Sequence, residues 1–208
     1  MIRAPRFSSR MALPALVGAL ALSPGPSPDP ALYEIDPEHS NVLFKVKHLG
    51  VATVTGRFNR FAATFWYDPA DPVATRATAT IDVTSIDTDN GRRDTHLRSE
   101  DFFWAERFPT MTFESREVRR IAEDRFEVAG DLTIRGVTRP VILDVTVEGA
   151  GRGTRGEPVM GLTATTEIDR LEYGLRWNRA IETGGWVVGD QVRIILELEA
   201  RGSEPVSR

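Results

Sequence analysis

Apolar residues recur at every second position through most of this 208-residue chain, and that period constrains the fold more than any other feature. Val42, Phe44 and Val46 alternate with Leu43, Lys45 and Lys47, and Phe61, Ala63, Phe65 and Tyr67 alternate with smaller or polar residues. Ala77, Ala79, Ile81 and Val83 fall opposite Thr78, Thr80, Asp82 and Thr84. Phe126, Val128, Leu132 and Ile134 surround Gly130, Val141 to Val147 repeats the pattern, and Val192, Ile194, Leu196 and Leu198 close the series. Side chains of a strand point alternately to its two faces, so each run carries one apolar face.

Turn signals separate the runs: Asp68-Pro-Ala-Asp-Pro72, Glu123-Asp124, Arg135-Gly136, the glycine-rich stretch 149–156 and Gly184-Gly185. About eight strands result, and their short connections predict an antiparallel sheet. Open edges invite aggregation, so closure into a barrel or a sandwich is favoured. An eight-stranded closed sheet is just wide enough to be filled by its own side chains or to hold one small ligand. Small residues at expected inward positions, Ala63, Ala77, Ala79, Gly130 and Ala164, argue for space.

One stretch breaks the β pattern. Between Arg93 and Ser115, Phe102, Phe103, Trp104, Phe108 and Phe113 are interleaved with Asp94, His96, Arg98, Glu100 and Asp101. That many large rings require enclosure, while the charges require solvent or partners. A short helical insertion around residues 91–108 meets both demands, as a lid over an apolar interior. Ser99 is expected to cap it, with Glu100 and Asp101 in the first turn, and Pro109 to stop it before a strand begins at Thr110.

The chain ends predict export. Arg3, Arg6 and Arg10 precede the uncharged run from Met11 to Leu22, and Ala19-Leu20-Ala21 offers a small-residue cleavage site, the pattern of a signal peptide over 1–21. A proline-rich leader follows over 22–31, then one domain over 32–200 and a polar, flexible tail over 201–208. The apolar run is shorter than the roughly 20 residues that span a bilayer, so no integral membrane segment is expected in the mature chain. The formal charge is −4, and loss of the signal peptide would remove three arginines and no acid, which disfavours nucleic acid as a partner. With no cysteine, the chain has neither disulfide nor thiolate chemistry, and stability rests on its core.

Candidate chemistry is sparse. His39, His48 and His96 lie in separate elements without metal-ligand spacing, so no metal site is expected. Ser40 and Ser99 lack a nucleophile-elbow context, and no catalytic residue is assigned. Asp94 is expected to cap or to pair with Arg98 at i, i+4 spacing. Leu132 to Pro140 reads as a hairpin turning at Arg135-Gly136, with Arg135 and Arg139 as solvated turn arginines that could alternatively bind an anionic head group. Trp177 and Trp186, preceded by Tyr173-Gly174-Leu175, either fill a core or wall a cavity; the pattern leaves both open.

Several of these segments together resemble YceI-like proteins. Tyr33-Glu-Ile-Asp36 with His39-Ser40, Phe44-Lys-Val-Lys-His-Leu-Gly50 and Gly56-Arg-Phe58 resemble the family's opening. Ser85-Ile-Asp-Thr88, Arg93-Asp94, His96-Leu97, Ser99, Asp101-Phe-Phe103, Phe108-Pro109, Thr112-Phe113, Leu132 to Thr138 and Gly189-Asp190 continue it in order. The resemblance implies an all-β, eight-stranded antiparallel lipocalin-like barrel, usually periplasmic, that encloses a polyisoprenoid, an isoprenoid quinone or a related long-chain amphiphile. It implies a carrier or sequestering protein, not an enzyme, with no required cofactor beyond the bound lipid.

On that reading the cavity wall is expected to include Phe44, Val46, Phe58, Phe65, Phe102 and Phe103, together with Phe113, Leu132, Leu175, Trp177 and Trp186. His39, Arg57, Asp94 and His96 are expected at a polar mouth. Trp104 departs from the family pattern, in which many relatives carry an acidic residue after the Phe pair, and is expected to bear on ligand choice. Two other readings stay open at this point: an enzyme acting on such a lipid, and a ligand-free interaction module such as a homodimer.

Overall fold

The computed structural model describes residues 30–180 and 184–203; the expected signal peptide and most of the leader lie outside them. Among the described residues, eleven strands form one antiparallel sheet. They are β1 (Ala31–Ile35), β2 (Asn41–His48), β3 (Ala52–Phe58), β4 (Phe61–Tyr67), β5 (Arg76–Asp82), β6 (Ile86–Asp87), β7 (Thr110–Arg120), β8 (Arg125–Ile134), β9 (Val137–Arg152), β10 (Pro158–Asp169) and β11 (Val188–Gly202). β1 pairs with β4 on one side and with β11 on the other, which closes the ring β1-β4-β5-β7-β8-β9-β10-β11.

The three remaining strands prolong this eight-stranded barrel at one end. β2 runs on from β1 along the same edge of β11, β3 lies beside β2 and leads into β4, and β6 follows β5 and pairs with β3. Each of the first three staves is thus a strand with a local break, at 36–40, 59–60 and 83–85. At the third break Asp82 accepts the backbone N–H of Thr84, an Asx-type turn that re-aims the chain.

Alternation sets the inside. Phe44 pairs with Gly56 and with Ile194, Ala63 with Ala79, and Phe113 with Leu132, all facing the barrel axis. Gly130 is inward but leaves no space: a Cβ there would lie 2.5 Å from Phe113 Cζ and 2.5 Å from the Glu114 carbonyl. Arg135 and Gly136 both have positive φ, 51° and 74°, the left-handed pair that a two-residue hairpin turn requires.

Three sequence expectations are corrected here. The helix, α1, spans Gly91–Arg98. Its N-cap is Asn90, whose side chain accepts the Arg93 N–H, and Ser99 sits at its C-terminal end with its hydroxyl donating to the His96 carbonyl. Residues 99–108 form successive turns. Asp94 does not pair with Arg98, which donates to the Thr84 carbonyl; it is buried and accepts both the N–H and the hydroxyl of Thr88. The barrel also takes in the start of the predicted tail, since Tyr33 pairs with Gly202 and Glu34 with Arg201.

Candidate functional site

Three apolar chambers lie in series along the barrel axis. The first, about 160 Å³, is at the end remote from α1 and is walled by Phe65, Tyr67, Val118, Phe126, Val147 and Met160, among others. Ala63, Ala79, Phe113 and Leu143 wall both this chamber and a second of about 120 Å³. Phe44, Phe58, Met111 and Ile134 are shared in turn between the second and a third of about 100 Å³ beneath α1. Apolar cavities of around 150 Å³ lined in this way stay dry and accept benzene-sized guests.

At the α1 end the third chamber meets a wider vestibule of about 510 Å³. Phe44, Val46, Leu97, Phe102 and Val188 belong to both. The vestibule lies between the β2–β3 hairpin, α1 and the segments around Trp177 and Val187.

All the expected cavity residues except Trp186 line this interior. Phe65 is at the far chamber, Phe113 at the first and second, and Leu132 at the second. Phe103 and Leu175 are at the third, and Trp177 at the vestibule. Trp186 is 57% exposed, on a bridge to Ala180 outside the barrel. Phe108 and Trp104 also stand apart: they pack edge to face, Phe108 covers Gly136, and the Arg107 and Arg135 guanidinium groups lie over the Trp104 ring.

The four residues expected at one polar mouth are dispersed. Only His96 lines the vestibule, its Nε2 2.9 Å from Asp101 Oδ2 and its ring edge-on to Phe102 and Trp177. Asp94 is turned under α1 toward Thr88. Arg57 projects from the outer face of β3 to Asp87 and Asp89. There the Asp89 N–H, Arg57 and Asn59 hold the Asp87 carboxyl down at about 2.

His39 lies at the first stave break beside Asp36, whose hydrogen bond raises its pKa. Asp36, His39 and Glu199 bring their ligand atoms within 4.8 Å of one another. The Arg201 guanidinium is 2.6 Å from Asp36 and 3.1 Å from Glu199, so a cation of the chain already serves that group.

Two arginines whose structural role the sequence did not show hold the α1 end together. Arg135, read as a solvated turn residue, donates to the carbonyls of Phe102 and Gly174 and so pins the ring-bearing turns to the β8–β9 hairpin. Arg170 is 4% exposed and donates to the carbonyls of Leu175, Trp177 and Gly189 and to Asp190. No local pattern marks either role, because each joins segments far apart in sequence: Phe102 and Gly174 lie 33 and 39 residues from Arg135, and Gly189 lies 19 from Arg170.

Beside Arg170, Tyr173 walls the third chamber on one side and a cleft against Pro140–Ile142 of β9 on the other. It is 1% exposed, its hydroxyl has no hydrogen-bond partner among the described residues, and burial pushes its pKa up to about 12.

A closed antiparallel barrel with an apolar interior in series with an open vestibule defines the class, a lipocalin-like β-barrel with internal cavities. The YceI-like domain model matches residues 33–200, and the chain belongs to that family. A UPF0312 protein of Staphylococcus epidermidis is 40% identical over 168 residues, 80% of this chain and 95% of the relative. One from Vibrio cholerae is 35% identical over 172 residues, 82% and 86% of the two chains.

Among solved structures, the YCEI protein of Campylobacter jejuni is similar at a TM-score of 0.66 and 31% identity, over 77% of this chain and 91% of that one. Burkholderia cenocepacia BcnA is similar at 0.68 and 27%, over 79% and 98%. A polyisoprenoid binding domain from Saccharophagus degradans shares the fold at 0.62 and 16% identity, over 82% and 98%. No helix among the described residues is long and apolar enough to cross a membrane.

Proposed function

We propose that this chain is an exported binding protein that encloses a polyisoprenoid lipid or isoprenoid quinone in its barrel, as a carrier or a sequestering protein. The observation that carries this reading is the line of three apolar chambers leading to the vestibule. A guest there gains about 0.8 kcal/mol for each CH₂ removed from water, so a few isoprene units supply most of a useful affinity without a strong polar contact. The polyisoprenoid-binding protein of the same fold supports a long, branched hydrocarbon as the guest. The arginine-flanked apolar run at 11–22 supports export.

The test is direct. Protein purified from a bacterial periplasm is extracted with organic solvent and the extract identified by mass spectrometry. A prenyl lipid or quinone at near one per chain is expected; an empty extract with no uptake of either would overturn the reading. Phe102 walls both the third chamber and the vestibule, so Phe102→Asp puts a carboxylate where the guest passes. Lipid retention should fall at least about tenfold while circular dichroism stays that of a β-barrel.

A further inference from the structure

We propose that the rim at the α1 end, formed by the β2–β3 turn and the segment 184–188, docks on the surface of a bilayer that contains anionic lipid. The inference stands on exposed side chains and does not depend on what the barrel encloses.

Three large apolar side chains are left in solvent on this rim: Leu49, Val51 and Trp186 are 40%, 85% and 57% exposed. A single exposed apolar residue needs no explanation, but three together mark a contact surface. They share one surface because the Leu49 N–H donates to the Val187 carbonyl at 2.9 Å and His48 pairs with Val188, which sets the turn beside the Trp186 segment. The turn is also unusual in itself. The Val51 N–H closes it on the His48 carbonyl, and Leu49 and Gly50 stand at φ 53° and 71°. Two successive positive-φ positions ordinarily take Asn-Gly, Asp-Gly or Gly-Gly. A leucine there is strained, and the fold does not cover it. An apolar surface outside the chain would supply the missing burial.

Charge selects the kind of surface. From Asn41 to Tyr67 the chain carries Lys45, Lys47, Arg57 and Arg60 and no carboxylate, in a protein with 30 acidic and 26 basic residues. Arg57 and Arg60 are spent on Asp87 and Asp82. Lys45 and Lys47, the chain's only lysines, are exposed on the outer face of β2, opposite Thr55 and Thr53. Neither they nor Arg92, which borders the vestibule mouth, has a carboxylate within ion-pair distance among the described residues. Apolar side chains at a tip with basic ones behind them suit a bilayer interface, where tryptophan sits at head-group depth and lysine and arginine reach the lipid phosphates. A contact between two copies through this rim would bring the unpaired cations together. The vestibule opens beside the rim, so a docked chain turns its mouth to the bilayer.

Co-sedimentation of the purified protein with vesicles of equal parts phosphatidylcholine and phosphatidylglycerol tests this, since a chain that had only taken up a lipid would stay in the supernatant. Binding is expected, and it should weaken at high salt. Leu49→Asn/Val51→Ser suits the turn better than the parent sequence, so its melting temperature should be unchanged or higher while its partition coefficient falls at least about tenfold. Lys47→Gln should lower partitioning about threefold to fivefold on these vesicles and leave it unchanged on phosphatidylcholine alone. With brominated phospholipid in the vesicles, tryptophan fluorescence should be quenched. Trp186→Phe should lose most of that quenching, and Trp66→Phe none of it, because Trp66 lies beside Phe65 and Tyr67 at the opposite end of the barrel.

Failure to sediment with the anionic vesicles overturns the proposal and leaves the reading of the barrel untouched. Undiminished binding in Leu49→Asn/Val51→Ser overturns it too, as does quenching carried by Trp66. A vesicle-free dimer that this double variant dissociates would also overturn it, by assigning the rim to a second copy.

Discussion

Tyr173 is fully buried between the third chamber and the cleft against β9, and its hydroxyl has no hydrogen-bond partner among the described residues. A buried hydroxyl without a partner forfeits its water hydrogen bonds, a penalty of about 1–3 kcal/mol. Tyr173→Phe should therefore stabilise the protein by about 1 kcal/mol, read as a higher urea midpoint at unchanged slope. A loss of stability would mean that the hydroxyl has found a partner. In the sequence, periodicity responds to the Tyr173 ring and is blind to its hydroxyl, and it is equally blind to Arg135 and Arg170, whose roles depend in part on carbonyls brought in from 33 and 19 residues away. The cavity rings were legible because each lies on a strand of strict alternation or in the aromatic cluster, whereas Trp186 shares their composition and not their placement.

Strands and helix differ in legibility for a physical reason. A strand in a barrel wall must alternate, so β2, β4, β5, β8, β9 and β11 are written in the sequence, and β10 carries the same signal in Met160, Leu162, Ala164 and Ile168. The helix Gly91–Arg98 has no apolar stripe to betray it. It is fastened instead by Thr88, whose hydroxyl donates to Asp94 and accepts from Arg93. Thr88→Val keeps the shape and removes that link, leaving the buried Asp94 carboxylate short of a donor. A loss of about 2 kcal/mol is expected, with faster hydrogen exchange in α1 than in the strands.

The β3–β6 pairing makes a second element-level prediction. Arg57 faces Asp87 in register, and the Asp87 carboxyl is held at about 2 against its usual 3.8. A depressed folded pKa contributes stability above the ordinary value, and that contribution is lost as pH falls from about 4 towards 2. Melting temperature should drop less steeply over that window in Asp87→Asn than in the parent; parallel curves would show that the pairing is not coupled to folding.

At the scale of the whole molecule, closure depends on contacts that no local window contains, such as Tyr33 with Gly202. The inward faces were readable strand by strand. The chambers were not, because register shifts at Ser115/Glu117, Gly161/Leu162 and Val188/Val192 rotate the faces relative to one another. What remains open inside is set by small residues, above all Ala63 and Ala79, which face each other across β4 and β5 and wall two chambers at once. Ala79→Phe would place a ring in that space and interrupt the guest's path. A guest at a hundredfold its dissociation constant stabilises the folded state by about 2.7 kcal/mol. For a domain of this size that is about 5–10 °C in melting temperature. Removing bound lipid from the parent protein should thus lower its melting temperature by about that much. Ala79→Phe should melt at one temperature before and after the same treatment, because a filled barrel has no guest to lose. A variant that still shows the full shift would mean that the guest does not occupy the first two chambers.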